Sequence, residues 1–209
     1  MLSNIQQQYD SLKLKLETLL QLLDSHTDEV LSFKAGPDKW SIVEVVEHLV
    51  IAEEGLLKEL STNIPDSTLD PEAKTPEKHQ IVIKVMERDI EVDVPHESLE
   101  PHGRIALEAL LNQWNDIRQK LPGLLAEIKP EKQDDPVFRH PYSGPLDLSD
   151  TLRFFEVHFD NHMRHIDRIL VQAKGSAIDK GNQNGIINIR LFRDNLTTWQ
   201  TEFNMRMVN

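Results

Sequence analysis

The chain of 209 residues contains no cysteine. This absence excludes disulfide bonds, thiolate metal ligands and a cysteine nucleophile, and it fits the reducing cytoplasm in which we expect the protein. Several catalytic motifs are also lacking. There is no glycine-rich phosphate loop, no G-x-S-x-G turn of serine hydrolases, no H-E-x-x-H helix of zinc peptidases and no Glu-x-x-His pair of di-iron bundles.

Long hydrophobic runs and clusters of basic residues are missing as well. No apolar stretch approaches the ~20 residues that a membrane-spanning helix requires, and the first residues lack the basic-then-apolar pattern of a signal peptide. The 23 basic and 35 acidic residues give a net charge of −12, whereas nucleic-acid binding needs a positive surface. We therefore expect neither a membrane nor a nucleic acid as partner.

Four segments carry apolar residues at alternating spacings of three and four, which is the pattern of an amphipathic helix. These segments cover residues 2–23, 42–60, 104–121 and 150–173. Ser41 and Glu44 form an S-x-x-E capping box at the start of the second segment. Four long amphipathic helices in a chain of this length predict an all-α protein built as a four-helix bundle.

Two regions between these helices have weaker patterns. Residues 81–95, IVIKVMERDIEVDVP, alternate β-branched and polar side chains, which predicts a short strand pair or an extended arm. Pro122 and Gly123 are expected to interrupt the third helix. Either Ser149 or Asp150 is expected to cap the fourth.

The last part of the chain differs in composition from the helical part. It is rich in Asn, Gln and Gly and contains one strand-like run. We therefore divide the chain into a helical bundle of residues 1–174 and a C-terminal extension or arm of residues 175–209. This arm could serve as a contact in a homodimer.

The stretch FFEVHFDNHMRHIDRIL, from Phe154 to Leu170, places three histidines on one helix face. His158, His162 and His165 are spaced at i, i+4 and i+7. A histidine pair at i and i+4 converges well enough to chelate a metal ion. His158 and His165, however, are about 10 Å apart along the axis, which is too far for both to reach one ion through bonds of ~2.0–2.1 Å.

A third ligand would have to come from another helix. His48 is the candidate, because it lies at the equivalent edge of the apolar face of residues 42–60. Three protein nitrogens would leave a coordination position for water or substrate, as in catalytic metal sites. The alternative is that these are ordinary surface or core histidines, since a His-x3-His pair often arises by chance. His26, His79, His96 and His102 form no such group. His140 lies in the proline-rich loop before the fourth segment, where it could cover the site or be an ordinary loop residue.

Glu44 lies one turn before His48 and has two interpretations. It can act as a general base or as an acceptor beside a metal-bound water. It can instead serve only in the capping box, which is the simpler interpretation and the one we prefer.

The stretch GPDKWSIVEVVEHLVIAE, followed later by HPYSGPLDLSDTLRFFEVHFDNHMRHIDRI, resembles the DinB/YfiT-like superfamily. The resemblance extends over roughly residues 5–172. It implies a four-helix bundle with an unusual connection order and one divalent metal, commonly zinc or nickel. By the family pattern the metal ligands would be His48, His158 and His162. His165 stands where the family usually has glutamine, so it would be a group that orients the ligands, a substrate-facing group or a spare ligand.

The resemblance implies two classes of function. In the first, a metal-dependent enzyme activates a small thiol, such as mycothiol, bacillithiol or glutathione, for S-transfer, or activates water for hydrolysis. Its partner would be a small-molecule substrate, and Glu44 and His165 would be the candidate catalytic residues. In the second, the protein is a non-catalytic metal-binding or stress-associated binding protein.

Overall fold

A computed structural model describes residues 3–66, 68–88 and 94–176. In this part of the chain there are six α-helices and one two-stranded sheet. In chain order they are α1 Ser3–Asp24, α2 Asp28–Leu31, α3 Ile42–Asp66, α4 Pro76–Glu87, α5 Leu107–Glu127, β1 Phe138–His140, β2 Gly144–Leu146 and α6 Leu148–Gly175. The predicted all-α class with a short β segment is confirmed. None of the described helices is long and apolar enough to cross a membrane.

The four long helices α1, α3, α5 and α6 enclose two neighbouring apolar clusters. One cluster combines the second halves of α1 and α6 with the first halves of α3 and α5, and the other cluster combines the opposite halves. α1 and α6 therefore run in one direction, and α3 and α5 in the other. Because α3 and α5 are parallel, the chain must return between them, and α4 and residues 94–106 make this return.

The helices α3 and α6, which carry the candidate metal ligands, both begin with side-chain caps. At the start of α3 the backbone N–H of Glu44 donates to Ser41 Oγ (3.2 Å), and the N–H of Ser41 donates to Glu44 Oε2 (2.7 Å). This reciprocal pair confirms the predicted capping box. At the start of α6 the cap is Asp147, whose side chain accepts from the N–H of Asp150 (2.9 Å). The prediction of Ser149 or Asp150 as this cap is therefore wrong.

The strand pair predicted in residues 81–95 is wrong for residues 81–87, which form the end of α4. Val82 and Ile83 fit a helical stripe that begins at His79, with spacings of i, i+3 and i+4. Ile81 is exposed, whereas the buried residues of α4 are His79, Val82 and Ile83. Pro76 at the first position favours a helix start, because the N–H that it lacks would have had no partner there. Residues 89–93 lie outside the described residues, as does the predicted arm from residue 177 onward.

The helix α5 continues through Pro122 and Gly123 to Glu127, so the predicted interruption is also wrong. A proline inside a helix removes one backbone hydrogen bond. Here Leu121 and Leu125 on the same turns are buried in the second apolar cluster. The packing of these two leucines stabilises the helical backbone that Pro122 and Gly123 disfavour.

The short β segment is a hairpin between α5 and α6. Its strands are antiparallel, with His140 opposite Gly144. Gly144 has a φ of 75°, in the left-handed region that favours glycine. The side chain of Asn63 in α3 donates to the carbonyl oxygen of Val137 (3.1 Å), which fastens the hairpin to the bundle.

Candidate metal centre

Three buried histidines from two antiparallel helices meet inside the bundle. α3 supplies His48, and α6 supplies His158 and His162. The Nε2 atoms of His48 and His158 are 3.1 Å apart, and those of His158 and His162 are also 3.1 Å apart. One ring nitrogen of each histidine lies within 4.8 Å of the others, so the group could hold a metal ion. The three predicted ligands are thus brought together.

The packing of both helices directs these side chains toward each other. On α6, Phe159 and Ile166 are almost fully buried in the first apolar cluster, as are Val45 and Leu49 on α3. Side chains at the edge of a buried helical stripe face the neighbouring helix. The histidines occupy this edge on both helices, which explains why the site forms between them.

All three imidazoles favour the neutral form. Burial lowers the pKa of His48 below its usual value of 6.5, and it lowers the pKa values of His158 and His162 well below that value. The ring of His48 donates from Nδ1 to the carbonyl oxygen of Leu99 (2.7 Å). A carbonyl oxygen can only accept, so the single proton of the neutral ring sits on Nδ1. The Nε2 atom of His48 therefore presents a lone pair to the other two rings.

This donor set fits a divalent metal ion better than it fits hydrogen bonding. A neutral His158 has one ring proton, so its Nε2 cannot form good hydrogen bonds with both neighbours. Two nitrogens bound tetrahedrally to one zinc ion at ~2.0–2.1 Å would be about 3.3 Å apart, close to the observed 3.1 Å. Among the described residues, the Nδ1 atoms of His158 and His162 have no hydrogen-bond partner. The Nδ1 atom of His48, by contrast, has the carbonyl oxygen of Leu99 as its partner.

Aromatic rings form two walls of the site. The half-buried ring of Trp40 lies nearly parallel to that of His162, with centroids 6.4 Å apart, and it also contacts His48 at 5.2 Å. The ring of Phe154 stacks on His158 at 5.4 Å. Apolar walls reduce the local dielectric constant, which strengthens charge interactions within the site. Neither aromatic residue stands out in the sequence as part of a metal centre.

Glu44 is engaged in other contacts. Its Oε2 accepts from Ser41 N–H, and its Oε1 accepts from Lys34 Nζ at 2.9 Å. Burial would raise the pKa of Glu44, but the hydrogen bonds from Lys34 and Ser41 outweigh it and lower the pKa. The capping role is confirmed, while the catalytic role stays a prediction.

His165 lies beside the three-histidine cluster. It is half-buried, and its ring centroid is 6.3 Å from that of His162 and 6.1 Å from that of Trp40. Its role at the site stays a prediction.

Two further buried histidines lie near the start of α6. His79 of α4 has its Nε2 3.6 Å from Asp150 Oδ1. His140 of β1 accepts through Nδ1 from the backbone N–H groups of Tyr142 (3.1 Å) and Ser143 (3.0 Å). His79 was predicted to belong to no group, because it precedes the segment predicted as strands and the helix α4 that buries it was not predicted.

The stability of the metal-free protein is expected to fall as the pH decreases from 6.5 to 4. Burial and the nearby His79 lower the pKa of His140 to about 4, so in this range the unfolded chain binds a proton that the folded protein does not. The contribution of His140 to the free energy of unfolding is fully present above pH 6.5 and is about 3 kcal/mol smaller at pH 4. Urea unfolding at a series of pH values measures this change.

The control for this experiment is His140→Asn. Its amide oxygen still offers an acceptor to Tyr142 and Ser143, but it does not titrate. We expect a flatter dependence on pH for this variant, after the contribution shared by all other groups is subtracted. An identical decrease in both proteins would contradict the role of His140.

The fold and the site define a class of helical-bundle proteins with a buried three-histidine centre that can hold a metal ion. A comparison with protein families matches residues 11–166 to the DinB superfamily. This span covers well over half of the chain and includes all three histidines. The chain therefore belongs to the DinB superfamily. A comparison with curated proteins gives no match.

Proposed function

We propose that the protein is a metal-dependent enzyme in which a divalent ion, zinc or nickel, is held by His48, His158 and His162 and activates a small thiol for transfer to an electrophile. The observation that carries this proposal is the convergence of three neutral ring nitrogens within 4.8 Å. Three protein ligands are typical of catalytic metal sites, whereas structural zinc sites usually have four. A bound metal ion would act as a Lewis acid that lowers the pKa of a thiol or a water.

The residues of the chain itself orient the ligands and exclude water. The carbonyl of Leu99 keeps the proton of His48 on Nδ1, which leaves Nε2 free to bind. Trp40 and Phe154 cover the rings of the ligand histidines. Since the chain contains no cysteine, a sulfur nucleophile would have to be brought by a small-molecule substrate.

The contacts of Glu44 favour the thiol route over hydrolysis. Hydrolysis calls for a general base close to the reacting water. Glu44 has both oxygens engaged and a lowered pKa, which makes it a poor base. A free thiol, with a pKa of ~8.5, loses its proton far more readily than water does. His165, next to His162, remains the candidate base for a hydrolase, which is the second candidate function.

The two routes can be separated with the metal-loaded protein. For the thiol route we expect conjugation of a model electrophile only when metal and a small thiol are both present, and a sulfur-to-metal charge-transfer band when thiol is added to the cobalt form. For the hydrolase we expect cleavage of esters or amides without thiol, and loss of rate in His165→Ala. If the protein catalyses neither reaction and binds no thiol, a non-catalytic metal-binding role becomes the better proposal.

A further inference from the structure

Residues 97–103, which we call the strap, cross the first turns of α3. The strap begins with a short 3-10 turn, Glu97–Leu99. The carbonyl oxygen of Leu99 accepts from His48, and the backbone N–H of Gly103 donates to Glu47 Oε2 at 2.8 Å. The strap is thus bound to two consecutive residues of α3, one of which is a candidate metal ligand.

The end of the strap fits closely against α3. Gly103 has a φ of 64°, a backbone conformation that residues other than glycine rarely adopt. A Cβ atom at this position would lie 2.8 Å from Glu44 Oε1. Glu44, Glu47 and His48 are spaced at i, i+3 and i+4, so they share one face of the helix. This face is where the strap lies.

Glu47 is buried more deeply than its hydrogen bonding explains. It is 1% exposed, and apart from the bond to Gly103 its other oxygen, Oε1, has no hydrogen-bond partner among the described residues. Burying a carboxylate with so few partners costs free energy. The bond that it does make is charge-assisted and therefore stronger than a bond between neutral groups. The bond between Glu47 and Gly103 holds the strap against α3.

We propose that Glu47 is a positioning residue for the metal centre. By holding Gly103 it keeps the carbonyl of Leu99 on His48, which keeps the Nε2 of His48 unprotonated and directed toward His158. The inference rests on the proposed metal site and names a residue that organises it. His158 and His162 have no comparable partner on Nδ1 in the described part of the chain. Of the three histidines, His48 is thus the one whose tautomer is fixed there by a hydrogen bond on Nδ1.

The affinity for zinc tests this proposal. Competition with a chromophoric chelator is expected to show an affinity about 10–100-fold lower in Glu47→Ala, the usual effect of releasing a group that orients a metal ligand. Glu47→Gln should restore most of the affinity, because its amide oxygen can still accept from Gly103. Glu59→Ala is the matched control on the same helix. Glu59 accepts from the backbone N–H of Arg139 at 2.6 Å, at the hairpin, and its loss should leave zinc affinity unchanged.

A second readout needs no metal. Long-range 1H–15N NMR spectra of the metal-free protein should show His48 in the Nδ1–H form in the wild type, in Glu47→Gln and in Glu59→Ala. A mixture of tautomers is expected in Glu47→Ala. If that variant does not fold, Gly103→Ala, which displaces the strap while keeping Glu47, is measured in the same two ways and should show the same two changes.

The outcomes separate this proposal from the proposed function. A wild-type tautomer and a wild-type zinc affinity in Glu47→Ala would overturn the role of Glu47 while leaving the metal site in place. Failure of the wild-type chain to bind zinc or nickel in the same titration would overturn the proposed function. In that case the tautomer comparison alone decides whether Glu47 positions His48.

Discussion

Replacing His158 by alanine is expected to weaken zinc binding by more than about 100-fold. The Nε2 atom of His158 is 3.1 Å from the Nε2 atoms of both His48 and His162, so the variant retains only two ligand nitrogens. Losing a direct ligand should weaken binding more than the ~10–100-fold effect of losing a group that hydrogen-bonds to a ligand. Elemental analysis after reloading with zinc and dialysis gives the metal content, and a chelator titration gives the affinity.

His165→Ala is the matched control for this experiment. It removes an imidazole from the same helix, but one whose ring lies 6.3 Å from that of His162, and we expect it to keep its metal. His48→Ala and His162→Ala should behave like His158→Ala. Circular dichroism must show that all four variants are folded. Loss of metal in His165→Ala equal to that in His158→Ala would contradict the proposed ligand set.

The second large effect concerns stability and does not involve the site. Arg118 and Glu53 form an ion pair in the interior, with exposures of 1% and 4%. Glu53 also accepts from Trp114 Nε1 at 2.8 Å. Arg118→Met leaves the charge of Glu53 buried without its partner. We expect a loss of about 3–5 kcal/mol in the free energy of unfolding, which is a decrease of roughly 10 °C in Tm for a chain of this size.

Two further variants test whether the burial of an unpaired charge causes this loss of stability. Adding Glu53→Gln to Arg118→Met should recover most of the stability, because the amide is neutral and its oxygen still accepts from Trp114. Arg153→Met breaks an ion pair with Glu87, whose two side chains are 45% and 47% exposed, and a longer one with Glu156 at 3.7 Å. It should cost no more than about 1 kcal/mol. Equal losses in Arg118→Met and Arg153→Met would show that burial is not the cause.

The helical fold could be predicted because its signals are local. Apolar stripes and the Ser41–Glu44 capping box depend on residues within a few turns of each other. The prediction is wrong where local and tertiary preferences conflict. Residues 81–87 are rich in β-branched side chains, but the packing of α4 on α6 makes them helical. Pro122 disfavours a helix, but it lies between buried leucines that hold one.

The three histidines could be predicted as a group because side-chain identity and helical spacing mark them. The parts that organise them could not. The partner of His48 is the backbone carbonyl of Leu99, 51 residues further along the chain, and any residue type supplies a carbonyl. Trp40 and Phe154 look like core residues until the fold places them against the histidine rings. Glu47 carries no motif, and only its burial and its bond to Gly103 draw attention to it.

Anomalous X-ray diffraction at the absorption edge of the bound metal tests the central claim most directly. Crystals of the zinc- or nickel-loaded protein should show one strong peak per chain, within bonding distance of the Nε2 atoms of His48, His158 and His162. No peak should appear beside His79 or His140. A loaded crystal whose peak lies away from the three histidines, or in which His165 replaces one of them as ligand, would contradict the account.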